Sequence, residues 1–78
     1  MRSPETRARE LAERLTAATG TAARTTRTPY ALRVEVDVPA VIPAALLAEL
    51  LGVLGTADRY GYDRTPDSGV AWAEITQE

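Results

Sequence analysis

Cysteine, histidine, lysine, asparagine and phenylalanine are all missing from this 78-residue chain. Each absence excludes something. Without cysteine there is neither a disulfide framework nor a thiolate metal site. Without histidine the other usual ligand for zinc, copper or iron is gone, so no metal or cofactor is expected. The loss of His, Cys and Lys together removes the commonest general bases and covalent nucleophiles, which points away from an enzyme. A domain of this size buries only about 60% of the surface its unfolded chain exposes. Lacking staples, it must be well packed or gain core by oligomerising, and a homodimer is the expectation.

Long apolar runs are missing too. The most apolar stretch, Val38 to Leu54, is interrupted by Pro39, Pro43, Glu49 and Gly52 and is too short to span a bilayer. The opening Met1-Arg2-Ser3-Pro4-Glu5 runs into a charged segment with no apolar core of the kind a signal peptide needs, so a cytoplasmic location is expected. Arginine supplies every one of the nine cations, beside fourteen alanines and ten threonines, a bias that GC-rich bacterial coding would produce. The net charge of −2, with both signs interspersed, argues against a strongly basic nucleic-acid binder.

What is present reads as αββαββ. Ser3 before Pro4 predicts an N-cap with proline in the first turn, and Gly20 a left-handed stop. Between them Ala8, Leu11, Ala12, Leu15 and Ala18 recur at helical spacing, which sets helix one at about 4–19. Thr21 to Thr28 is polar on both faces and suits an edge strand. Tyr30 to Val38 alternates strictly, with Tyr30, Leu32, Val34, Val36 and Val38 on one face and Ala31, Arg33, Glu35 and Asp37 on the other. Pro43 to Leu54 predicts a second helix whose apolar stripe is Leu46, Leu47, Leu50, Leu51 and Leu54. Asp58–Arg64 and Val70–Thr76 form a hairpin around Thr65-Pro66-Asp67-Ser68-Gly69, with proline fixing φ and glycine free to take φ > 0.

The chain echoes itself: Leu11-Ala12-Glu13 matches Leu47-Ala48-Glu49, and Arg27-Thr28-Pro29 matches Arg64-Thr65-Pro66. A single domain over 1–78 with pseudo-repeats 4–38 and 43–76 follows. Two such units make a two-layer α+β fold, a four-stranded antiparallel sheet with both helices on one face. The order that keeps each hairpin adjacent and the crossover right-handed is third–fourth–second–first, a circularly permuted ferredoxin-like arrangement.

Two surfaces stand out. The side of helix two opposite its leucines carries Ala45, Ala48, Glu49 and Gly52, where an exposed helix would show several charges; it is expected either to pack against helix one of the same chain or to form the dimer interface. All aromatics except Tyr30 gather in the hairpin. Tyr60, Tyr62 and Trp72 either complete a core that has no phenylalanine or, with Arg33, Arg59 and Arg64, make a partner-binding sheet face. The expected function is a small non-enzymatic accessory protein that binds a protein partner. The alternative is a nucleic-acid module, because aromatics among arginines on an open sheet can stack bases. Asp58, Asp63 and Asp67 lie close in sequence but lack the spacing of a calcium loop, and are read as solvated turn charges.

Overall fold

In a computed structural model, residues 3–77 are described; Met1, Arg2 and Glu78 lie outside them, as does the start of the segment read above for targeting. The elements run α1 (Pro4–Thr19), β1 (Arg24–Arg27), β2 (Ala31–Val38), α2 (Ala44–Leu54), β3 (Arg59–Arg64) and β4 (Gly69–Thr76). The sheet is antiparallel throughout in the order β1-β2-β4-β3, as the αββαββ reading predicts.

Local chemistry places the ends of α1. Ser3 Oγ accepts from the Thr6 amide at 3.2 Å, and Gly20 closes the helix at φ 77°, its N–H donating to the Thr16 carbonyl. Glu5 reaches across to Arg27 at 3.6 Å. The first strand is shorter than the 21–28 run of β-compatible residues. Thr21 Oγ1 donates to the Asp37 carbonyl and the Ala23 amide donates to Thr16 Oγ1, so these residues are tied into the turn after the helix. All four residues of β1 are exposed, as an edge with little to bury requires.

The core lies between the helices and one sheet face. Leu11 and Leu15 of α1, Leu50, Val53 and Leu54 of α2, Leu32, Val34, Val36 and Val38 of β2, and Ala71, Ala73 and Ile75 of β4 form one cluster. Small residues on β4 let the helices sit close to the sheet centre. Packed against α1, the second helix is rotated from the stripe its leucines suggest: Val53 is buried and Leu51 is 45% exposed, while Leu46, on the side of Leu50 and Val53 but in the first turn, is 38% exposed.

Gly69 takes no positive φ, contrary to the turn reading; among the described residues Gly20 alone does. The turn is instead closed by the Thr65 amide donating to the Ser68 carbonyl at 2.8 Å, with Thr65 Oγ1 accepting from the Ser68 amide. Gly69 begins β4, buried, for a steric reason. A Cβ there would stand 2.8 Å from Cε1 of Tyr62.

Candidate functional site

The hairpin β3–β4 decides where the aromatic side chains go. Tyr60 pairs with Ala73 and Tyr62 with Ala71, both buried partners on the helix side of the sheet, whereas Arg59 pairs with Glu74 and Gly61 with Trp72 on the open side. Alternation therefore splits the predicted partner-binding set. Arg33, Arg59 and Trp72 share the open face. Tyr60, Tyr62 and Arg64 belong to the helix-side face, because their partners on β4 alternate with Trp72. Tyr62 packs against the core over Gly69, and Tyr60 is 53% exposed at the rim.

On the open face the Trp72 indole lies over Gly61, where a Cβ would come within 2.5 Å of Cε2 and Nε1. The guanidinium of Arg33 sits 4.4 Å from the ring centroid, a cation–π stack. Arg33 in turn meets Glu74 at 3.2 Å and Glu35 at 3.6 Å, and Arg59 lies 3.8 Å from Glu74. Arg24 forks onto Asp37 at 3.2 and 3.4 Å farther along the same face. The result is a charge-paired surface around a capped tryptophan. Base stacking needs a free ring face, and phosphate binding needs unpaired cations. Here the ring lies between a glycine and an arginine, and each of Arg24, Arg33 and Arg59 has an acidic neighbour.

Asp58, Asp63 and Asp67 are not brought together; no group of three or more acidic side chains is placed to hold a metal among the described residues. Asp58 has a role the sequence did not suggest. Its Oδ2 accepts from the Thr76 amide at 2.8 Å and its Oδ1 from Arg7 at 3.3 Å, so one carboxylate ties the loop after α2 to the end of β4 and to α1. The Thr76 N–H holds its carboxyl below the usual carboxylate range; slight burial opposes this and Arg7 assists. Beside it a cavity of about 280 Å³ is lined by Arg7, Glu10, Leu11, Arg14, Thr56 and Ile75. Its walls offer two guanidinium groups and one carboxylate over an apolar floor, with no side-chain nucleophile beyond a threonine hydroxyl that already donates to the Val53 carbonyl.

The proposed dimer residues Ala45, Ala48, Glu49 and Gly52 are all exposed, and Glu49 is the single charge on α2. Leu51, which the sequence places in the apolar stripe, borders this outer surface instead; Leu46 is also partly exposed but lies one turn before Leu50 on the core side of the helix. A Cβ on Gly52 would meet nothing within 4 Å, so packing inside the chain gives no reason for a glycine in the last turn of α2. No family model matches the chain, and neither the curated proteins nor the solved structures contain a match. No helix among the described residues is long and apolar enough to cross a membrane.

Proposed function

We propose that this chain is a small non-enzymatic interaction protein that works as a homodimer and binds a protein partner. The observation that carries the reading is the solvent side of α2. Leu51 stands exposed beside Ala44, Ala48 and Gly52, with one glutamate where a solvated helix face normally carries several charges. Gly52 supports it from another direction. Glycine in a helix costs up to about 1 kcal/mol relative to alanine, no contact within the chain requires it in the last turn of α2, and a closely approaching second copy would. The non-enzymatic part rests on the side-chain inventory, since the most specifically held carboxylate, Asp58, is engaged in structural contacts.

Sedimentation velocity across the micromolar range tests the homodimer. A dimer is the expected result, weakened by Leu51→Glu if α2 flanks the contact, and a monomer at every concentration overturns it. The nucleic-acid reading is weaker because the arginines of the open face are already paired. Titration with single-stranded and duplex oligonucleotides at low salt should show no binding that weakens steeply with added salt. Such binding would move the function to that class.

A further inference from the structure

We propose that two copies join edge to edge along β3, antiparallel and with Gly61 opposite Gly61, making one continuous eight-stranded sheet; this rests on the homodimer reading above and specifies its geometry. The hydrogen-bond phase of the hairpin comes first. The Thr65 amide donates to the Ser68 carbonyl, and the registered pairs continue as Asp63 with Val70, Gly61 with Trp72 and Arg59 with Glu74. In an antiparallel ladder successive residues direct their main-chain groups to opposite sides. The amides and carbonyls of Arg59, Gly61 and Asp63 therefore belong to β4, and those of Tyr60, Tyr62 and Arg64 point outward. No helix packs extensively on this strand: α1 rests mainly on β2, with α2 beside it toward β4. The edge is open.

Its sequence, Arg59-Tyr60-Gly61-Tyr62-Asp63-Arg64, is complementary to itself in one register. With Gly61 on the two-fold axis, Tyr60 of each copy faces Tyr62 of the other. Those are the residues with outward main-chain groups, so each such pair exchanges both hydrogen bonds. Arg59 then faces Asp63 of the second copy, twice by symmetry, at the closer non-hydrogen-bonded spacing and on the open side of the sheet. Shifting the register by one step puts Asp63, or Arg59, opposite Gly61, and the charge match is lost. The position on the axis also has to be small. Gly61 already yields its open side to the Trp72 ring of its own chain.

Three measurements test this geometry. Asp63→Arg turns both charge pairs repulsive and should weaken the dimer roughly tenfold, while adding Arg59→Asp in the same chain should recover most of the loss. Tyr60→Pro removes an outward N–H that no ladder bond in the monomer uses, and should give a folded monomer. The third needs no variant: hydrogen exchange should show the Tyr60 and Tyr62 amides gaining protection as concentration rises through the dimerisation range. A dimer in which those two amides stay freely exchanging overturns the edge pairing and leaves the homodimer standing. A chain that stays monomeric ends both.

Discussion

β1 and β3 close the two sides of one sheet, yet their sequences treat a second strand differently. β1 is four residues long, Arg24-Thr25-Thr26-Arg27, exposed throughout and without an acidic residue. Its arginines are occupied within the chain, Arg24 by Asp37 and Arg27 by Glu5. A second copy brought to this edge would find cations and no counter-charge in any register, which is one way native sheets discourage pairing. β3 is longer, mixes both signs, and carries its aromatics and its glycine where an antiparallel copy could meet them. The same device, an exposed strand, is shut on one side of the sheet and available on the other. Charge sign and length make the difference, since both edges have free main-chain groups.

The largest effects should come from the glycines that let the aromatics of the hairpin lie flat. Gly69→Ala drives a Cβ into the Tyr62 ring, which is wedged against the core, and should destabilise the fold by about 1–3 kcal/mol in urea unfolding. Gly61→Ala should cost less, about 1–2 kcal/mol, because the Trp72 ring can swing outward at the expense of its stack with Arg33. The test of mechanism is a double-mutant cycle. In a Trp72→Ala background the Gly61→Ala change should become neutral or stabilising, since alanine suits a strand better than glycine. Unchanged cost in that background would mean the ring does not occupy the space above Gly61. No glycine, and hence no such effect, exists on β1.

Next in size is the tether at the start of β3. Asp58→Asn weakens the bonds to Thr76 and Arg7 and should cost on the order of 1 kcal/mol at neutral pH, discounted because the side chain is partly exposed. The sign of its pH dependence follows from the lowered carboxyl. A group whose folded value lies below its unfolded value, about 3.9 for aspartate, contributes fully above the unfolded value. That contribution is lost as pH falls through the folded one. The wild-type chain should therefore lose more stability than Asp58→Asn between about pH 4 and the acid limit, and equal losses would show that the carboxylate is not held. β1 has no counterpart to this tether; Thr21, which donates to the Asp37 carbonyl near its start, carries no charge and should show no such acid dependence.

These contrasts also mark how far the sequence could be read. Period-two alternation in 30–38 and 70–76, helical spacing in 4–19 and 43–54, and the Ser3-Pro4 and Gly20 signals are local. They place the elements within a few residues of where they lie, and connection geometry then leaves few strand orders. The functional surfaces depend on relations between elements. Whether Tyr60 and Tyr62 join Trp72 is decided by the register of β3 on β4, and a one-residue change reverses it. The rotation of α2 toward Val53 is set by the surface of α1, which no wheel of α2 alone contains. The roles of Gly61 and Gly69 could have been suspected, because a glycine inside a strand often marks a close approach. Asp58 gave no comparable signal: it stands in a loop, where aspartate is common for other reasons.

On α2 the expected effect is smaller and of two signs. Gly52→Ala meets open space and removes a flexible residue from the last turn of a helix, so it should stabilise the monomer by up to about 0.5 kcal/mol. If the small side of α2 approaches its counterpart across the β3 junction, the same methyl should weaken association. A variant more stable yet no less dimeric would confine self-association to the strand edge and free the helix surface for a different protein.

The smallest effect belongs to β1, where proline reports most directly on the contrast between edges. The Thr28 amide donates to the Ala31 carbonyl at 2.8 Å, which fixes the phase of this hairpin so that Thr26 and Arg24 bond to β2 and the Thr25 amide points outward. Thr25→Pro therefore deletes no ladder bond. Its cost in thermal unfolding should stay within about 1 kcal/mol, and part of that is offset by the lower entropy of the unfolded chain. It is the counterpart of Tyr60→Pro, which also removes an outward N–H from an edge strand. The two should differ little in stability and sharply in assembly: Thr25→Pro sediments as the wild type does, and Tyr60→Pro as a monomer. If Thr25→Pro were the one to dissociate the dimer, the polar edge would be the interface and β3 the protected side. Arginines without acidic neighbours on their own strand would then have failed to keep a second copy away.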